Sequence, residues 1–246
     1  MLPVRRPSPV PAFPSHPADR RFYAAMSVVA SVVIVTGFAS TYGPKVITGS
    51  RPVPAIIHLH AGVFLCWLVL FVAQTLLVVR GHIQAHVRLG QAGLAIAGAM
   101  LVTGLATAID AARSGHKGIP GVEFPDTQGF LLLNVSSIVI FSLLVAAGWW
   151  WRRRPQAHKR FMLAATVAGL MPPGISRLPG IAGHDGAIAA LAVAFLLVGP
   201  AYDIATRKRI HPAYSGLLLA AFIVPPVVLR LSRTDAWRAA AAWMVG

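Results

Sequence analysis

Histidine is the side chain in this sequence with the most chemistry to offer. A neutral imidazole ligates metals and haem iron and exchanges protons near neutral pH. Nine histidines occur among 246 residues that are 56% hydrophobic. His86, His158 and His211 each open an apolar stretch, so they should lie at similar depth together with His82. His58, His60, His116 and His184 fall toward the other side, and His16 lies in the N-terminal tail. Two histidines at one depth on facing helices could clamp a haem iron. The plainer reading of His82, His158 and His211, each taken singly, is an interfacial residue beside water and lipid phosphates.

The stretch PAIIHLHAGVFLCWLVLFVAQTLLVV is more specific. At about 100° per residue, His58 and His60 point to nearly opposite faces of a helix and cannot share a metal. His60, Phe64, Trp67, Phe71 and Gln74 do share one stripe, roughly 21 Å long at about 1.5 Å per residue. Polar groups in lipid face the protein interior because exposure there is costly. The three aromatics could flank haem or a quinone, or could pack helix on helix. Gln74 could bond a neighbouring helix. Arg177, just past Pro172-Pro173, could hold a carboxylate such as a haem propionate or an anionic substrate, or snorkel to the interface. Asp203 with Arg207 and Asp110 with Arg113 are spaced to pair along their own helices. The candidate cofactor contacts are therefore His60, His86, His158, Trp67, Gln74 and Arg177, with His60, His86 and His158 as candidate iron ligands.

One pattern occurs twice. HKRFMLAATVAGLMPPGISRL starts at His158, and HPAYSGLLLAAFIVPPVVLRL starts at His211. Each begins with His, carries Pro-Pro fourteen residues on and ends in Arg-Leu. Each has the length of one membrane-crossing helix, with a break expected at its proline pair. The His and Arg of one copy stand about 28 Å apart on a helix, so a copy brackets the membrane rather than forming one site.

The elements that must position these groups are apolar helices. Seven spans are expected: Phe22–Tyr42, Pro54–Val79, Val87–Ala112, Gln128–Trp151, Phe161–Leu178, Gly186–Ala205 and Ala213–Leu231. Residues 1–21 read as a disordered, basic, Pro-rich tail, residues 22–231 as the membrane domain and residues 232–246 as an interfacial helix capped by Thr234. Residues 130–178 and 183–231 read as two parallel hairpins, a repeat found in transporters. A stripe of mostly small residues at Gly90, Gly93, Ala97, Met100 and Gly104 allows close helix contact.

Only 12% of the residues are charged, against roughly 25% in a soluble domain. The fold class is thus an all-α integral membrane bundle in a lipid bilayer. The net charge of +15 reads as membrane topology and not as nucleic-acid binding, because the basic residues sit in short loops. Fourteen Lys and Arg belong to the tail and the even-numbered loops, and eight to the other side. That bias puts the N-terminus in the cytoplasm and the C-terminus outside, in a bacterial inner membrane. The single cysteine, Cys66, excludes an intramolecular disulfide and a cysteine zinc site and reads as a small buried apolar residue.

HLHAGVFLCWLVLFVAQTLLVVRGHIQAHVRLGQAG, RRRPQAHKRFML and YDIATRKRIHPAY together resemble a group of bacterial multi-pass membrane proteins of unknown function, over roughly residues 55–240. That resemblance implies fold class more than mechanism. The histidines at helix ends are also similar to those of b-type membrane cytochromes. Three functions remain open: a redox protein holding haem b or a quinone, a small-molecule or proton-coupled transporter, and a non-catalytic assembly subunit. The last would work with a membrane-complex partner or with further copies of itself.

Overall fold

A computed structural model describes residues 13–49, 52–119 and 122–246. The helices run α1 (Asp19–Thr48), α2 (Ala55–Val79), α3 (Ile83–Arg113), α4 (Thr127–Trp150), α5 (Pro155–Gly169), α6 (Met171–Ile175), α7 (Asp185–Arg207), α8 (Pro212–Leu231) and α9 (Asp235–Val245). A two-residue ladder between α3 and α4 pairs Gly118 with Glu123. Six helices, α1, α2, α3, α4, α7 and α8, are long and apolar enough to cross a membrane. Their outer faces carry apolar side chains such as Val32, Val69, Leu143 and Phe222, the last 79% exposed. Bilayer is the solvent that makes such a surface stable.

The expected fifth span, Phe161–Leu178, is not one helix. α5 ends at Gly169, Leu170 forms the joint, and α6 restarts at Met171. Pro172 and Pro173 then occupy the first turn, where a missing N–H costs no hydrogen bond. The restart lets α6 lie against α1. A Cβ on Gly174 would stand 2.9 Å from the Ile34 Cα, and one on Gly37 would collide with the Gly174 carbonyl. Nearly every residue from Leu163 to Met171 is buried. α5 is therefore a central helix walled by protein over its second half, and most of its polar residues gather in its first two turns, at Gln156, His158, Lys159 and Arg160.

The second proline pair behaves differently. α8 runs unbroken from Pro212 to Leu231 through Pro225 and Pro226. The break expected at both pairs occurs only at the first. Where α6 has Gly174, α8 has Val227, which is 44% exposed. No close backbone neighbour draws α8 aside there.

The core gathers Tyr23, Met26, Ala30 and Ile34 of α1, Trp67, Leu68 and Phe71 of α2, Phe141 and Val145 of α4, and Leu163, Met171 and Ile175 of α5–α6. α2 and α3 pack closely along the small-residue stripe. Leu70 reaches to within 3.2 Å of where a Gly93 Cβ would stand. Cys66, expected inside, faces outward. α9 has its Thr234 cap, whose hydroxyl accepts from the Trp237 N–H at 3.3 Å. It is held by Trp237 Nε1 donating to the Gln128 carbonyl at 2.9 Å and by Arg113 Nε donating to the Val245 carbonyl at 2.6 Å. Among the described residues no ion pair joins Arg113 to Asp110.

Candidate functional site

α3 and α5 both start at the end of the bundle where α1 begins, here termed the arginine-rich end. His86 lies in the first turn of α3 and His158 in the first turn of α5. Their ring centres are 6.1 Å apart and the ring planes stand at 81°. Contact between α3 and α5 is otherwise sparse; α4 packs against both. The rings thus meet edge to face where α3 and α5 otherwise make few contacts.

Each imidazole has a carbonyl beside it. His158 Nδ1 lies 2.8 Å from the Gly148 carbonyl oxygen. A carbonyl only accepts, so Nδ1 carries the proton and Nε2 keeps its lone pair. The Gln74 backbone carbonyl lies beside the His86 ring. His86 Nδ1 is buried with no hydrogen-bond partner, and so is Gln74 Oε1. Gly90 leaves room for the Gln74 amide, whose Nε2 is 3.7 Å from where a Cβ would stand.

His60 and Arg177 occupy the opposite end. Thr103 Oγ1 donates to the Ala99 carbonyl at 2.8 Å and lies 3.1 Å from His60 Nδ1. Its one proton is used, so His60 Nδ1 donates to it and Nε2 keeps the lone pair. The His60 ring lies 5.8 Å from Phe64, Phe64 lies 5.8 Å from Phe38, and the Arg177 guanidinium sits 4.8 Å over Phe38. Arg177 Nη1 donates to the Pro173 carbonyl at 2.6 Å, and Ser40 Oγ donates to the Arg177 carbonyl at 2.7 Å. Thr103 stands 17 residues from His86 on α3, about 26 Å at 1.5 Å per residue. His60 therefore shares no centre with His86 and His158. Trp67, 2% exposed, packs edge-on against Phe141 at 5.0 Å, and its indole N–H donates to Thr166 at 3.4 Å. Its ring serves helix packing.

A second polar group at the arginine-rich end joins α1, α5, α7 and the start of α8. Arg160 and Asp203 are both fully buried and form a two-pronged ion pair, with Arg160 Nε donating to Asp203 Oδ2 at 2.9 Å. Arg207 approaches Asp203 at 3.5 Å and clasps both oxygens of Asp19 at 2.5 and 2.6 Å. Lys159 and Tyr202 also donate to Asp19, at 2.5 and 3.0 Å. The Tyr23 and Tyr214 hydroxyls meet at 3.3 Å beside this group.

Residues 13–18, assigned by sequence to the disordered tail, close over the ion group. Phe13 lies 4.6 Å from the Arg160 guanidinium and 4.7 Å from the His211 ring, and the Pro14 carbonyl accepts from Arg207 Nε at 2.8 Å. Tail residues 1–12 fall outside the described residues. His211 Nδ1 accepts from the Ala213 N–H at 3.1 Å and caps α8. Burial, then the charge of Arg160, pushes its pKa down to about 4.

Helical spacing pairs Asp203 with Arg207 alone, and Lys159 and Arg160 read from sequence as loop charge. The available signal was scarcity: seven acidic residues face twenty-two basic ones, so a carboxylate inside an apolar helix must draw cations from several helices. Among the described residues, His, Cys, Asp and Glu nowhere gather in a metal-binding group of three or more. No family model, curated protein or solved structure matches the chain.

Proposed function

We propose that this chain is a seven-span inner-membrane redox protein that holds haem or a quinone between its spans, near the arginine-rich end. α5 and α6 together supply the seventh crossing. Residues 155–175 reach about 31 Å at 1.5 Å per residue, roughly the hydrocarbon thickness. The excess of Lys and Arg at the end where α1 begins supports a cytoplasmic N-terminus. The two parallel hairpins stand as a sequence duplication whose copies have taken different shapes.

The observation that carries the redox reading is the meeting of His86 and His158. Two imidazoles meet edge to face in an apolar bundle, His158 with Nδ1 on a carbonyl and His86 with a buried Nδ1 that has no partner. Haem, when bound, would supply one-electron chemistry. The chain's own part would be to ligate the iron, exclude water and seat the rings against backbone carbonyls. His60 with Phe64, Phe38 and Arg177 would belong to the opposite surface, where a quinone ring or an anionic group would meet an aromatic and cationic lining. The test is the full-length protein purified in mild detergent from haem-replete cells, followed by a visible spectrum and organic extraction for quinone. A Soret band or stoichiometric quinone is expected. Finding neither rejects the redox reading.

The ion group favours a second reading, a small-molecule or proton-coupled transporter. Ion pairs linking α1, α5 and α7 at one face could open and re-form as helices move. In proteoliposomes, Pro172→Ala with Pro173→Ala should impair solute or proton flux; unchanged flux counts against transport.

A further inference from the structure

Resting on the reading of this end as the cofactor site, the geometry points to His86 and His158 as two nitrogen ligands of one transition-metal centre held between α3 and α5, the metal being either haem iron or a bare ion such as copper(I).

Three observations carry this. The first is spacing. A metal–imidazole nitrogen bond of about 2.0–2.1 Å puts the metal about 3 Å from each ring centre, so two rings facing across it stand about 6 Å apart. The observed separation is 6.1 Å. The second is seating. Metal-ligating histidines direct their other nitrogen at a carbonyl or carboxylate, which fixes tautomer and ring angle. Gly148 does this for His158, and the Gln74 carbonyl lies against His86. The third is an orphan. An edge-to-face contact between rings would explain the 81° angle, but it leaves the buried His86 Nδ1 without a partner. Such an atom is costly to bury unless something takes its lone pair. A metal would take it.

The donor set narrows the metal. Among the described residues no three His, Cys, Asp or Glu side chains gather in one group, so two imidazole nitrogens would suit haem iron or copper(I). They do not complete a four-ligand zinc site or an oxygen-rich magnesium or calcium site. Gln74, whose carbonyl lies against His86, also has a buried side-chain oxygen without a partner.

The experiment uses full-length protein from cells supplied with haem precursor and, separately, with copper. Metal per chain is measured by elemental analysis, alongside the visible spectrum and the electron paramagnetic resonance of the oxidised sample. About one metal per chain is expected. A Soret band with a low-spin ferric signal identifies haem iron, and copper with nitrogen hyperfine structure and no Soret band identifies the bare ion. Either supports the proposal. His86→Ala and His158→Ala should each lower occupancy at least about tenfold, while His116→Ala and His211→Ala keep it. Wild-type nitrogen couplings decide the ligand count without any variant, should a substitution prevent folding. Metal retained in both variants, or wild-type couplings from fewer than two imidazoles, overturns the proposal. Stoichiometric quinone without metal overturns it and leaves the redox reading standing. Neither cofactor removes both.

Discussion

The two copies of the His–Pro-Pro–Arg-Leu pattern run through different surroundings, and their surroundings decide what each residue does. In the first copy the helix is central. Gly169 and Gly174 sit where a Cβ would meet Phe141 and Ile34 at 2.9 Å, and the backbone breaks at Leu170. In the second copy Phe222 and Val227 hold the same places, both are exposed, and the helix continues through its prolines. His158 Nδ1 donates to a carbonyl, while His211 Nδ1 accepts from an amide. Arg177 folds back onto its own helix over Phe38, while Arg230 is exposed. A proline pair thus breaks a helix where close packing beside it rewards the break, not wherever two prolines occur.

The largest test of this contrast is Arg160, whose place in the second copy is taken by Ala213. Arg160→Ala leaves Asp203 fully buried with only the 3.5 Å approach of Arg207 and the His211 N–H. Breaking a buried pair from one side costs about 3–5 kcal/mol. Thermal unfolding in detergent should show a markedly lower midpoint. The double change Arg160→Met with Asp203→Leu should recover much of it, since no charge is then stranded. If the single and double variants unfold alike, the pair is not what holds α5 to α7.

Exchanging the residues that distinguish the copies comes next. Gly174→Val puts a branched side chain against the α1 backbone, where overpacking costs about 1–3 kcal/mol. Val227→Gly removes an exposed side chain from α8 and costs about 0.5–1 kcal/mol of helix propensity. Equal losses at the two sites would end the claim that crowding at α1 separates the copies. Alongside these stands Arg177. Arg177→Ala frees the Pro173 carbonyl and uncovers Phe38, for about 1.5–3 kcal/mol given the usual worth of a charged hydrogen bond. Arg230→Ala should stay within about 0.5 kcal/mol, as exposed substitutions do. The same unfolding assay reads both.

The sequence carries the contrast only in part. Apolar runs of the right length announced α1–α4, α7 and α8, because lipid exposure writes itself into every outward residue. α5 and a break at its proline pair are legible, but that only this pair breaks its helix is not, since the deciding contacts come from Ile34 and Gly37 on a distant helix. The α2 stripe was legible from 3.6-residue spacing, and its central aromatics are buried as that spacing implies. That His86 meets His158 was not legible: equal depth followed from helix starts, but which helices face each other depends on packing. The Arg160–Asp203 pair was hidden for the same reason, its partners standing 43 residues apart.

The smallest effect separates the two histidines that open the copies. His211 caps α8 through a neutral Nδ1, and replacing an N-cap by alanine costs about 1 kcal/mol. His211→Asn should keep the cap and nearly all the stability. Protonation would remove the acceptor and add a cation facing Arg160, Lys159, Arg207 and Arg209, with the carboxylates of Asp203 and Asp19 in the same ion group and Phe13 above. Because the folded pKa is about 4 and an unperturbed histidine titrates near 6.5, the folded state binds the proton less readily than the unfolded chain. The contribution is complete above about pH 6.5 and is lost as pH falls toward 4. Nitrogen-15 spectra of histidine-labelled protein should show His211 titrating near 4, with cleavage by an added protease near Phe13 rising over the same range. If His211 titrates near 6.5 and cleavage there does not change, the second copy's histidine caps nothing, and its difference from His158 reduces to exposure.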